Sequence, residues 1–394
     1  MVFVHELRKN LENNWIQFLN TYAKNIRRKS FSGSSPPSVF VGHYGYPKVK
    51  VGPMLPPIHG NTTIFDSPEK WLGKSLDEIA RYRISLVRGV NEININNPFG
   101  KYIESLQELA MSKLPSESEM VFEKMPLIDI EKEKKFEEAN FVPYGLSAPL
   151  ESFRTSSISV DKRLEDSYYD KDLNAAESIF NLYKKGAAIS DIIRIFSMGM
   201  LGVQKNRKLV PTRWSISAID DIISTELTKK IEKHPPIELF EVYNYQHLGN
   251  NYSIILIPHS KWFLEMQEAW IDNRGNIVIG TDIESKGKLN HHPSLAGAFF
   301  SARLAVSEYL NKIEKMAAIL VLREIHPPYA IPVGVWQVRE GIREAFKKNI
   351  NKFEDFDKAF LYATFFMSVS KSEWLENSKI YTKIVKQKTI LDYL

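Results

Sequence analysis

"IELFEVYNYQHLGNNYSIILIPHSKWFLEMQEAWIDNRGNIVIGTDIE", Ile237 to Glu284, differs in character from the sequence on either side of it. Short runs rich in Ile, Val, Tyr, Phe and Trp alternate with turn signals at "GNN", "PHS" and "DNRGN". That spacing predicts four strands joined by tight connections, an antiparallel meander. Helical periodicity flanks it. Before it, "RWSISAIDDIISTELTKKIEK" repeats apolar residues at threes and fours, with Ser217 and Asp220 spaced like a capping box. After it, "SLAGAFFSARLAVSEYLNKIE" reads as a long helix and "AAILVLREI" as a buried strand.

Further out, residues 3–29 have helical spacing, with Leu7, Leu11, Trp15, Phe18, Leu19 and Tyr22 on one face. "SFSGSSPPS" breaks that helix. "VFVGHYGYPKVKVGPMLPP" follows as extended pieces cut by Gly42, Gly45, Gly52 and four prolines. "SPEKWLGKSLDEIARYRISLVRG" then reads as a helix, with Ser67 as cap, Pro68 in the first turn and Gly89 as stop. Residues 97–150 are mixed, with one helix around "YIESLQELAM", and residues 171–232 read as three helices. Two more are expected near Val338–Phe346 and Phe353–Ser368. The expected class is α+β, with a helical N-terminal part, an antiparallel β meander in the middle and a helix-rich C-terminal part. The expected divisions are a basic helical arm and linker at 1–32, a domain at 33–284, a second at 285–378 and a basic tail at 379–394.

The chain has 394 residues, 43% of them hydrophobic and 12% aromatic, enough for a substantial core in one or two domains. Its longest apolar runs are strand-length and far short of a bilayer span. Charges throughout the first dozen residues leave no signal-peptide core, so a cytoplasmic protein is expected, with no membrane partner. Cysteine is absent, which excludes disulfides, thiolate zinc sites and cysteine nucleophiles. No zinc or other cofactor is expected. The formal net charge of +5 is modest, but the first fifty residues are strongly basic. That arm could lie along phosphates or be an ordinary solvated helix face; both readings stay open.

Candidate chemistry is sparse. No phosphate-binding glycine fingerprint is present. His291 and His292 are adjacent in sequence, which places their rings in different directions and seldom on one metal. Asp272 lies twelve residues before Glu284, which begins an E-x-K string ending at Lys286. Nucleases can hold Mg²⁺ between two such carboxylates while the lysine steadies the attacking water. The string is common in so charged a chain, and Mg²⁺ is expected only on that reading. Three clusters interleave cations with rings: Arg81, Arg83 and Arg88 around Tyr82; Arg213 and Trp214 after "QKNRK"; and Tyr44, Tyr46 and Lys48 in "HYGYPKVK". Guanidinium and ammonium groups grip phosphates and rings stack on bases, so these are candidate DNA contacts. Each cluster also has a purely structural reading.

The sequence ends on "QKTILDYL" after Lys379, Lys383 and Lys386. Gln387, Ile390, Tyr393 and Leu394 have the spacing of a sliding-clamp docking peptide, a PIP box. On one 3₁₀ turn Ile390 and Tyr393 share a side. Burying these apolar side chains yields about 1.5–3 kcal/mol each, which ordering costs reduce to a dissociation constant on the order of micromolar. The alternative is a final helix packed onto the body.

"SGSSPPSVFVGHYGYPKVKVGPMLPP", "DSPEKWLGKSLDEIARYRISLVRG", "LVPTRWSISAIDDIIS" and "IPVGVWQVREGIREA" together resemble the archaeal Nre family of DNA repair proteins. The likeness runs from about Ser32 to the C-terminus. It implies a cytoplasmic archaeal protein acting on damaged DNA and recruited by the PCNA sliding clamp, with the docking motif at Gln387, Ile390, Tyr393 and Leu394. It also implies that 33–284 and 285–378 are the family's N-terminal-type and C-terminal-type domains. Many members carry an N-terminal cysteine cluster that this chain lacks, so no zinc role carries over. The resemblance supplies no catalytic residues. A DNA-contacting repair factor at the clamp, a metal-dependent enzyme on DNA or nucleotides, and an adaptor to other repair proteins therefore all remain open.

Overall fold

A computed structural model describes residues 28–127, 145–156, 158–285, 293–329 and 332–386. The expected N-terminal helix at 3–29 falls almost wholly outside them, as do Lys286 and the docking motif at 387–394. The chain divides into two compact units at Ser224, within the helix Thr212–Ile231, and Ile331–Gly334 is grouped with the first.

The first unit is built on a six-stranded sheet. Its strands are β1 (Ser30–Ser35), β2 (Val39–Val41), β3 (Lys48–Leu55), β4 (Val87–Asn94), β5 (Ser116–Phe122) and β6 (Ser147–Thr155), in the order β1-β5-β6-β4-β3-β2. Every pairing is antiparallel except β4 with β6. Phe31, Leu55, Val87, Met120, Phe122 and Leu150 form its core. At Gly52 in β3 an added Cβ would lie 1.7 Å from the Gly89 carbonyl oxygen of β4, so only glycine permits that approach. Gly89 therefore serves a strand, not a helix stop. The helix before it is α1 (Leu76–Ser85), capped by a reciprocal Ser75–Glu78 box and not by Ser67.

The second unit carries another six-stranded sheet: β7 (Phe240–His247), β8 (Asn250–Ile257), β9 (Phe263–Ile271), β10 (Ile277–Ser285), β11 (Ala318–Ile325) and β12 (Asn351–Phe353). The order is β10-β9-β11-β8-β7-β12. The meander expected from Ile237 to Glu284 is thus two hairpins separated by an inserted strand. β11 pairs antiparallel with β8 and parallel with β9. All eight of its residues are buried, as a central strand covered on both faces requires. One face of this sheet packs on Phe356, Phe360, Trp374 and Ile380. The helix Thr212–Ile231 begins five residues before Ser217, so Ser217 and Asp220 lie inside it and form no cap at its start.

Candidate nucleic-acid interface

β2 is the edge strand of the first sheet, and β2 and β3 form a hairpin whose loop runs from His43 to Pro47. Gly42 N–H donates to Lys50 O at 2.8 Å and Lys48 N–H to Gly45 O at 2.9 Å, which fix the loop's two sides. Its far side is pinned by Ile95 N–H donating to Pro47 O at 2.9 Å. The Val41 N–H donates to Thr212 Oγ1 at 3.0 Å, joining the edge strand to the first turn of the helix Thr212–Ile231. Thr212 is itself placed by Ser197 Oγ at 3.1 Å.

This bracing brings together two residues far apart in sequence. The rings of Tyr46 and Trp214 lie 5.7 Å apart, inclined at 48°, and remain 55% and 47% exposed. Tyr44 is also exposed and packs on His43 at 4.0 Å. Lys48, exposed at the start of β3, makes no ion pair among the described residues. Lys205 and Lys208 are exposed on the segment leading to Trp214, and Leu209 N–H donates to Ile95 O at 3.0 Å. Two large rings held half-exposed, with exposed lysines on the same chain segments, can stack on bases while phosphates are neutralised, a pairing suited to single strands.

The other arginine candidates divide. Arg81 is exposed on α1. Arg213 is half-buried beside Trp214. Arg83 and Arg88 are buried and not at the surface. Arg83 reaches Asp66 at 3.3 Å and covers the Trp71 ring at 4.8 Å, and Arg88 covers the Phe40 ring at 4.8 Å. Burial pushes the Asp66 carboxyl above its ordinary range, against the opposing pull of Arg83 and the Ser38 hydroxyl. These arginines support the hairpin from inside. The sequence offered only their cationic type; their burial follows from sheet pairings made elsewhere.

The two carboxylates of the metal reading are kept apart. Asp272 turns the β9–β10 hairpin, accepting the Arg274 and Asn276 N–H groups at 2.8 Å each. Those bonds hold its carboxyl below the usual range, outweighing desolvation. Glu284 pairs with Leu264 at the other end of the hairpin, on the order of 20 Å away by strand rise. It is buried, accepting the Trp262 indole N–H at 2.6 Å and facing Arg303 Nε at 2.8 Å. One ion cannot span them, and among the described residues no three His, Asp or Glu side chains gather as a metal site.

Two sheet-based units in one chain, the first presenting braced aromatic rings at its sheet edge, define an α+β protein of two bodies. The chain belongs to the archaeal Nre family: residues 11–274 match the model "Archaeal Nre, N-terminal" and residues 284–393 match "Archaeal Nre, C-terminal". It is 35% identical over 368 residues to the DNA repair protein NreB of Archaeoglobus fulgidus, covering 92% of this chain and 91% of that one. DNA repair protein NreA of the same organism is 36% identical, with 86% and 85% covered. DNA repair protein NreA of Haloferax volcanii is 29% identical, with 90% and 87% covered. No solved structure matches the chain. No helix among the described residues is long and apolar enough to cross a membrane.

Proposed function

We propose that this protein is a DNA repair factor that contacts DNA directly and is recruited by the PCNA sliding clamp. The observation that carries DNA contact is the pairing of Tyr46 with Trp214, both half-exposed, beside Lys48. The names of its relatives support the repair role. The spacing of Gln387, Ile390, Tyr393 and Leu394 supports clamp recruitment. Arg81 and Arg213 are further candidate contacts with the backbone.

Binding of fluorescently labelled single-stranded DNA tests the first part. Trp214→Ala and Tyr46→Ala should each weaken binding by about 5- to 100-fold, the effect of removing one stacking partner. Both rings are half-exposed, so neither change should lower the melting temperature. DNA affinity unchanged in both variants would remove this surface. For recruitment, the full chain should bind archaeal PCNA with micromolar affinity and a version ending at Lys386 should not; equal binding by both would refute the docking motif.

A further inference from the structure

Beyond the hairpin, the first unit contains a cavity of about 90 Å³ between Phe99, Tyr168 and Tyr169, with Gln107 and Arg207 also lining it. We propose that this cavity receives a single unstacked nucleobase from a strand lying on the Tyr46–Trp214 surface; the proposal rests on the DNA-contact reading above.

Its walls are planar. Tyr168 and Tyr169 lie 5.3 Å apart at 59°, and Phe99 and Tyr169 remain 55% and 65% exposed. Arg207 covers Tyr168 at 5.4 Å while donating to the carbonyl oxygens of Gly202, Tyr168 and Asp170 at 2.6–2.8 Å. Its guanidinium is committed to the scaffold and braces the wall. Gln107 is buried, donating to Met198 O at 3.1 Å. Its amide oxygen has one long contact, 3.4 Å from the Tyr168 hydroxyl, so it retains capacity to accept from the edge of a base.

Size and charge select the occupant. A cavity that encloses benzene measures about 150 Å³, so a single ring enters this one with an edge left at the mouth. Burial raises the Tyr168 phenol, the Arg207 guanidinium pulls it back, and Glu104 and Glu108 push it up less. Because that guanidinium already donates to three backbone carbonyls, it offers little grip to a phosphate inside. Lys171, exposed at the mouth, can hold the attached phosphate outside. The cavity also lies close to the hairpin. Pro98, in its lining, is three residues beyond Ile95, whose N–H is bonded to Pro47 O. Three residues reach at most about 10–11 Å.

Fluorescence anisotropy with three labelled duplexes tests this: one carries a single extrahelical thymine, one an abasic residue in the same bulge, one is fully paired. The thymine bulge should bind about tenfold more tightly than the abasic bulge, the scale of one base stacked on aromatic rings. Phe99→Ala and Tyr169→Ala, both at exposed side chains, should reduce that ratio below twofold and leave abasic-bulge affinity unchanged. Equal affinities for the two bulges in the wild type, or a ratio that survives both substitutions, would overturn the pocket and leave DNA contact standing. No binding to any of the three, nor to single strands, would overturn both.

Discussion

Glu284 holds the Trp262 indole and the Arg303 guanidinium inside a sheet face closed to water. Removing its carboxylate leaves Arg303 in a buried site without that partner, so Glu284→Ala should cost about 3–5 kcal/mol. Urea unfolding measures this, and a loss under 1 kcal/mol would contradict the pairing. Glu265 gives a pH-dependent test. It is buried on β9 and accepts the Ile380 N–H at 2.5 Å and the Gln267 amide at 2.6 Å. Burial raises its carboxyl above the ordinary 4.5 despite those bonds. The folded state therefore keeps its proton to higher pH than the unfolded chain does. That contribution is full below about 4.5 and is lost as pH rises through the folded value. Glu265→Gln should gain stability relative to wild type across that window; a difference that does not change with pH would refute the assignment. Such residues mark the limit of the sequence. Glu284 and Arg83 were legible as charged groups, but burial depends on which strands pair, and one chain's spacing does not state that.

At the scale of elements, local patterns were informative and long-range pairings were not. The four strands between Ile237 and Glu284 exist, because alternation and turn residues dictate them locally. The insertion of β11 between β8 and β9 is a non-local choice, made by the only uniformly buried strand of that sheet. Of the first sheet, β1 reads as a linker because Gly, Ser and Pro crowd it, yet it pairs antiparallel with β5. β2–β3 read as extended pieces cut by prolines and glycines. One of those glycines is a structural requirement. Gly52→Ala would drive a methyl into the Gly89 carbonyl and should destabilise by about 3 kcal/mol or more, visible as a lower urea midpoint. The candidate surface shows the same division. Tyr46, Lys48 and Trp214 were each legible as ring or cation; their convergence was not, because it runs through the Val41–Thr212 bond. Phe99, Gln107 and Tyr168 gave no signal, their role arising only where three separate segments meet.

For the whole molecule, a net charge of +5 predicts weak general attraction to DNA, so affinity should depend on a few local lysines. With Lys48, Lys171, Lys205 and Lys208 as phosphate contacts, log K for single strands should fall against log salt with a slope of about −3. Lys48→Ala should make that slope shallower by somewhat under one, and a slope near zero in the wild type would refute the electrostatic part.

The stretch Ser378–Val385 has one further bearing on recruitment. Ile380 is buried, Tyr381 stacks on Phe356 at 5.4 Å, and Glu265 stands in register between Ile283 of β10 and Leu320 of β11. The last described stretch of the chain is therefore gripped by the middle of the second unit's sheet. If the proposed clamp docking holds the residues after Lys386, a pull on them would reach β9 through the Ile380–Glu265 bond.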